Sequence, residues 1–425
     1  MKLDFGQIGE TVHARTLPNG LRVSYLEKQG FSKDFAILAV NFGSCDSRFS
    51  FEGRDYRLPA GVAHFLEHKM FECEDGNALQ KLTALGASPN AFTSRTMTAY
   101  HFSCTERFQE CLKLLLGFVF TPWFTEENVA KERGIIAQEI AMLDDTPSWR
   151  AYGGLYEGLY HEHPIRESIA GSRESIAQIT PALLSDCHRA FYTPGNMALV
   201  VCGSASFDAL CETAERLSPA PSRTGPVRDY GSRAGSVCQP TVTHRMQASQ
   251  PQAFLGFRDA PLAPGESRLR RKLLGDLCCR LVSGPASPLY ARLFSERLIT
   301  QNFDTEYSTF PEGAAAVFGG LTRDPAALRA ALEEAVRTSA QGLPAGAFGR
   351  AKRALYGASL RAFDDPSAYA RHELAALFHG EHYASFPALL EGLAPEDVYE
   401  MLGRWGSSSQ SAVLPLDAPP EGGLL

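Results

Sequence analysis

The sequence predicts an α+β protein of two homologous domains, each a mainly antiparallel sheet with helices packed on one face. Three observations predict it. The chain has 425 residues, enough for two or three compact domains that each bury a core. Its strand and helix patterns come in segregated runs, not in strict alternation, which favours antiparallel or mixed sheets. It also repeats itself across a Pro-, Gly- and Ser-containing stretch near its middle, over 219–236.

In the first half a strand over 21–27 follows the Asn19-Gly20 turn, and a second covers 35–42. Helices are predicted over 60–72 and 77–85, the latter stopped by Gly86 at a C-cap position. Residues 90–104 alternate through Thr, Tyr and Phe and read as one long strand. Helices over 106–118 and 126–143 follow, and an apolar strand over 198–202 closes the half.

The repeat has an offset of 220. Leu143-Asp144-Asp145-Thr146-Pro147-Ser148-Trp149 is echoed by Phe363-Asp364-Asp365-Pro366-Ser367-Ala368-Tyr369, each after a long helical pattern. Pro181-Ala182-Leu183-Leu184 leads through a helix to the strand at 198–202, as Pro387-Ala388-Leu389-Leu390 leads to a strand at 412–416. A duplicated unit explains both likenesses. The expected domains are 1–218 and a degenerate repeat over 237–425, with 219–236 as linker.

Composition narrows the function. Hydrophobic residues make up 44% and charged residues 21%, ordinary globular values that exclude a disordered or fibrous chain. The 41 basic and 48 acidic residues give −7, the wrong sign for a protein built to neutralise phosphates or anionic lipid, so no nucleic-acid or membrane partner is expected. The start has no basic run before an apolar core, and no stretch reaches the roughly 18–20 apolar residues of a spanning helix. The ten cysteines follow no regular framework. Reduced thiols in a cytoplasmic protein are the expectation.

The chemistry concentrates in His64-Phe65-Leu66-Glu67-His68. Positions four apart share a helix face, so His64 and His68 can present imidazoles to one metal ion. Glu67, beside the second histidine, can reach a water on that ion. A solvated histidine pair is the bland alternative, but Phe65, Leu66 and Met70 make the helix too apolar to lie exposed. A catalytic zinc takes a third protein ligand. Glu132 and Glu139, two turns apart on a later helix, are the candidates. Exposed carboxylates at such spacing are commonplace, yet the repeat carries Lys352 and Ser359 in their places and has no histidine over 268–283. Ligands present together in one half and missing together from the other point to a single zinc site per chain. His161-x-His163, His372, His379, His382 and the adjacent Cys278-Cys279 show no ligand spacing and read as solvated or structural.

His64-x-x-Glu67-His68, followed by Glu139 within Glu132-Arg133-Gly134-Ile135-Ile136-Ala137-Gln138-Glu139-Ile140, resembles the insulinase/pitrilysin family of zinc peptidases, the inverzincins. Gly86-Ala87-x-x-Asn90-Ala91-Phe92-Thr93-Ser94, His163-Pro164 before Gly171, and Tyr192-Thr193-Pro194-Gly195-Asn196-Met197 are similar to further family stretches. The likeness covers nearly the whole chain, strongly in the first half and weakly in the second. It implies that His64, His68 and Glu139 bind zinc, that Glu67 is the general base, and that Glu132 orients a ligating histidine. It also implies peptide substrates that add as a strand near Asn90, Ala91 and Phe92.

One departure stands out. Active members draw an arginine and a tyrosine, seven apart, from a second-half segment, whereas Arg297 and Tyr307 here are ten apart. Neither inherits that role. The chain is similar to the zinc-bearing member of bacterial pairs, in His64 to Glu72 and Ser287 to Tyr290. That resemblance implies a paralogous partner subunit carrying the missing pair, with a homodimer as the other arrangement. The rival from another class is a non-catalytic scaffold or assembly subunit of the same fold, which would have no use for ligands and base in register.

Overall fold

The computed structural model describes residues 1–28, 30–222, 224–231, 236–405 and 407–416. Of the expected linker, Arg223 and residues 232–235 lie outside the described residues. The chain divides into two compact units. The first comprises Met1–Ile140, Ser168–Tyr230 and Ala358–Pro387; the second comprises Ala141–Glu167, Gly231–Gly357 and Ala388–Leu425.

The first unit is built on a seven-stranded sheet. Its strands are β1 (Lys2–Phe5), β2 (Glu10–Thr16), β3 (Arg22–Glu27), β4 (Asp34–Val40), β5 (Ser88–Thr93), β6 (Thr98–Cys104) and β7 (Met197–Gly203), in the order β1-β2-β3-β7-β4-β6-β5. The second unit holds β8 (Thr241–Met246), β9 (Gln252–Asp259), β10 (Asp304–Phe310), β11 (Gly313–Leu321) and β12 (Ser408–Pro415), in the order β8-β12-β9-β11-β10. The run β3-β7-β4-β6-β5 and the run β8-β12-β9-β11-β10 have one topology. Each has a single parallel pair, β3 with β7 and β8 with β12, and antiparallel pairs elsewhere. The α+β duplication predicted from the sequence is the architecture.

Helices α1 (Val62–Met70), α2 (Ala78–Ala84), α3 (Phe108–Phe120) and α4 (Glu126–Asp144) follow the expected spans closely. Asn77 caps α2 by accepting from the Leu79 and Gln80 amides. The second repeat places α6 (Arg268–Ser283) after β9, where the first places α1 after β4; α5 (Pro147–Leu159) and α7 (Pro366–Leu377) follow the repeated Asp-Asp segments. No helix among the described residues is long and apolar enough to cross a membrane.

Residues 90–104 are a correction to the sequence reading: they form a tight hairpin, not one strand. Ser94 makes the turn, its amide donating to the Met97 carbonyl and its hydroxyl oxygen accepting from the Thr96 and Met97 amides. A serine turn without Gly or Pro leaves the alternation unbroken, which is why the pattern read through it. The hairpin makes β5 the outer strand of its sheet.

The helices α1 and α3 lie on one face of the first sheet, where Tyr100 of β6 meets Phe71 and Phe118 edge-on. The opposite face of that sheet receives α7, whose Arg371 sits 4.1 Å over the ring of Phe92. In the second unit α5 takes the matching place against β8, β9 and β12. Its Gly154 and Gly158 have no side chain to hold it off, and a Cβ there would lie 2.7 and 2.2 Å from the hydroxyls of Ser411 and Ser409. Each repeat therefore contributes one helix to the unit of the other. The compact units exchange these two segments. Val227–Arg228, within the expected linker, pairs with Arg48–Phe51, and the buried Asp46 carboxylate binds both Arg228 and Tyr230.

Candidate metal centre

The N-terminus of α1 is set by backbone contact. Gly61 caps it at φ +95°, a conformation that favours glycine, and its missing Cβ would lie 2.6 Å from the Ala170 carbonyl. Gly171, at φ +79°, faces back: a Cβ there would come within 2.3 Å of the Ala60 carbonyl. The Ser175 hydroxyl donates to that same carbonyl at 2.7 Å. Two glycines back to back thus fix where α1 starts. Phe65 and Leu66, fully buried, fix its rotation and turn His64 and His68 toward α4.

The two imidazoles lie 4.6 Å apart, edge to face. Glu139 reaches them from α4, with Oε1 3.5 Å from His64 Nε2 and Oε2 3.6 Å from His68 Nε2. These three side chains offer ligand atoms that all lie within 4.8 Å of one another. The spacing tests whether zinc fits. Two ligand atoms about 2.0–2.1 Å from one tetrahedral zinc stand about 3.3–3.4 Å apart, whereas a direct N–H···O bond draws its atoms to about 2.7–3.2 Å. The observed 3.5 and 3.6 Å run to the two different oxygens of Glu139; both exceed a direct hydrogen bond and lie slightly above that edge length, which leaves room for an ion between the side chains. The donor set of two imidazoles and a carboxylate is also one that zinc takes.

Glu132 stands apart from this group. It is buried two turns earlier on α4, and its Oε1 lies 3.0 Å from His68 Nδ1. That contact leaves His68 Nε2 as the nitrogen turned toward Glu139. His64 Nδ1 is buried without a hydrogen-bond partner among the described residues.

Glu67 points away toward the edge hairpin. Its Oε2 accepts a 2.6 Å hydrogen bond from the Thr93 hydroxyl. Burial pushes the Glu67 carboxyl above the usual range, against the opposing pull of Thr93 and the two histidines. The neighbouring His64 imidazole, and after it His68, holds Glu139 below that range. Burial disfavours charge on His68, but the Glu132 hydrogen bond and three carboxylates outweigh it and raise its pKa. Burial likewise opposes charge on Glu132, and the His68 contact overcomes it and lowers its pKa.

Asn90, Ala91 and Phe92 lie on β5, where the Asn90 side-chain Oδ1 accepts from the Ala91 amide at 2.8 Å. Thr93 was part of a recognised stretch, but nothing in the sequence marked it as the partner of Glu67. No pattern in the sequence marks Gly61 or Lys69.

Tyr307 is fully buried on β10, and its hydroxyl donates to Asp259 at 2.6 Å. Arg297 is exposed, at φ +56° just beyond the helix Pro288–Ser295. His163, expected to be solvated, is buried: its Nδ1 accepts from the Ile165 amide and its Nε2 lies 2.8 Å from the Pro311 carbonyl. His382 pairs with the buried Glu373 at 2.7 Å, a contact that sequence spacing did not show.

The insulinase (peptidase family M16) profile matches residues 52–173, and the profile described as the M16 inactive domain matches 178–355. The uncharacterized zinc protease YmfH of Bacillus subtilis is 34% identical over 406 residues, covering 94% of this chain and 95% of that protein. The chain belongs to the M16 insulinase family. An uncharacterized zinc protease of Mycobacterium tuberculosis is 26% identical over 381 residues, 86% of this M16 chain and 84% of that one. Among solved structures, an M16-like peptidase from Alicyclobacillus acidocaldarius superposes with a TM-score of 0.92 at 30% identity, over 98% of this chain and 100% of that chain. A protease from Helicobacter pylori, at 17% identity and TM-score 0.80 over 95% and 99% of the two chains, shares the fold. His64, Glu67, His68, Glu132 and Glu139 all fall within the matched span 52–173.

Proposed function

We propose that this M16 chain is a zinc-dependent endopeptidase for short or unfolded peptides, with His64, His68 and Glu139 holding one zinc ion. The observation that carries the reading is the pair of 3.5 and 3.6 Å spacings, set by a helix face on one side and a second helix on the other. When bound, zinc supplies a Lewis acid and brings the pKa of a water toward neutrality.

The protein residues do the rest. Glu67 takes a proton from the attacking water and delivers it to the leaving amine. Its burial suits both tasks, because a carboxylate with raised pKa accepts a proton more readily than one in water. Thr93 holds Oε2, which leaves Oε1 as the oxygen for proton transfer. Glu132 fixes the ring of His68 through Nδ1. A substrate peptide adds alongside Asn90, Ala91 and Phe92, since β5 is an outer strand; main-chain pairing there accepts many sequences.

The buried Tyr307 and the position of Arg297 support a second element of the reading. The arginine and tyrosine that active relatives bring to the substrate come from another subunit, a paralogue or a second copy.

The test is zinc content and peptide cleavage of the purified chain beside Glu67→Gln. One zinc in both proteins, with cleavage in the parent reduced about 10²–10⁴-fold in the variant, is the expected result. A parent that binds no zinc would overturn it. Zinc without cleavage by the parent directs the search to the second subunit, assayed by adding candidate paralogues.

A further inference from the structure

Lys69 follows His68 on α1 and is wholly buried, at 0% exposure. A buried ammonium is costly unless paired, so its surroundings carry information. Its Nζ lies 2.7 Å from Glu72 Oε2 and 3.6 Å from Glu132 Oε2, and makes no well-aligned hydrogen bond among the described residues. Glu132 spends its other oxygen on His68 Nδ1. The four side chains form a line: Glu72, Lys69, Glu132, His68.

The outer end of that line is anchored. Glu72 belongs to the short strand Glu72–Cys73, whose register pairs it with Asn77, and Asn77 in turn caps α2. A lysine needed only for packing would be satisfied by Glu72 alone. Here it also faces the one oxygen of Glu132 that His68 does not use.

We infer that Lys69, anchored by Glu72, is a positioning residue that holds the Glu132 carboxylate against His68 Nδ1 and thereby aims His68 Nε2 at the metal position. The inference rests on the reading that His68 is a zinc ligand. Without Lys69, Glu132 Oε2 has no cation in a buried place. The carboxylate then turns toward water, and the His68 ring loses its acceptor. An opposing effect exists, since an ammonium near the site repels a divalent cation. The two effects predict opposite changes in zinc affinity.

The experiment compares the parent chain with Lys69→Met, which keeps length and removes charge, and Glu72→Gln, which loosens the anchor from its half-exposed end. Zinc affinity is measured by chelator competition at one pH, and thermal unfolding is followed in the zinc-free proteins. The expected result is zinc binding about 10–100-fold weaker in Lys69→Met. Glu72→Gln should weaken it in the same direction by a smaller factor, with a zinc-free unfolding temperature close to that of the parent. Equal or tighter zinc binding in Lys69→Met overturns the inference. Should that variant not fold, unchanged affinity in Glu72→Gln overturns it instead. A parent that binds no zinc overturns the ligand reading and this inference with it, so the two failures are distinguishable.

Discussion

The two repeats put the same pieces to different uses. In the first unit, α1 presents Glu67 to the edge hairpin, where Thr93 of β5 donates to it. In the second, α6 presents Gly275 to its own edge strand, and the ring of Tyr307 from β10 lies so close that a Cβ on Gly275 would sit 2.1 Å from it. One pairing of helix and edge strand leaves a carboxylate in a polar pocket; the other closes into a core. The later helices differ likewise. Glu132 and Glu139 turn inward from α4, while Lys352, on the matching helix Ala347–Arg361, donates to the carbonyls of Glu391 and Leu393. The fold thus accepts either a site or a packed interior at this position, and side chains alone decide between them.

The largest expected effect tests the packed side of the contrast. The Asp259 carboxylate, with no side-chain exposure, pairs with Arg271 at 3.0 Å and Arg404 at 3.2 Å and accepts from Tyr307. Asp259→Ala leaves two cations without their shared acceptor. It should lower unfolding free energy by about 3–5 kcal/mol in a denaturant titration. Zinc content of the folded fraction should stay at the parent value, because the proposed ligands belong to the other unit. A loss of zinc in that fraction would mean that the division of labour between the units is false.

Next is the ligand side. His64→Ala should weaken zinc binding by about 3–4 kcal/mol, or roughly 10²–10³-fold, by an even division of the binding free energy of four-ligand sites. His163→Ala, which removes a buried histidine from the second unit, should leave zinc affinity within error of the parent. Equal effects from the two substitutions, read by the same competition assay, would erase the distinction between site and structural histidines.

A smaller effect separates Thr93 from the ligands. Thr93→Val keeps the shape and removes the donor to Glu67 Oε2. A hydrogen bond to a charged group at the lower end of its range predicts about a tenfold fall in kcat, with zinc content unchanged. If KM rises while kcat holds, Thr93 serves substrate binding and not the base.

How much of this was legible beforehand follows from what each residue type signals. His64, Glu67 and His68 announce themselves because their spacing is a helix period and their chemistry is rare in combination. Glu132 and Glu139 were both marked by their absence from the copy, and only the family resemblance chose Glu139 as the ligand. Lys69 was not, because lysine in a sequence reads as surface by default, and only burial reveals otherwise. The hairpin at Ser94 was hidden by a turn that breaks no alternation. The exchange of α5 and α7 was hidden for a different reason. Periodicity tells that a helix has an apolar face but not which sheet will cover it, and the hint lay in Gly154 and Gly158, four apart, whose purpose appears only beside Ser411 and Ser409.

The smallest expected effect concerns a histidine that belongs to the first unit yet not to its site. His188 is buried, its Nε2–H donating to the Val119 carbonyl at 2.9 Å and its ring stacked on Tyr192. Burial pushes its pKa down to about 4, with the Val119 contact opposing. The folded value therefore lies below the unfolded value of about 6.5. Above pH 6.5 both states are neutral here and the stability is complete. Between 6.5 and 4 the unfolded chain takes up a proton that the folded chain refuses, so stability falls as pH falls. At pH 5.5 the loss from this one group should be about 1 kcal/mol. His188→Gln, which removes the titrating ring, should flatten the profile by that amount over the same window, measured on zinc-free protein so that ligand protonation does not enter through the metal. A profile equally steep in the variant would assign the acid sensitivity to other groups, and would leave His188 as a packing residue whose proton plays no part.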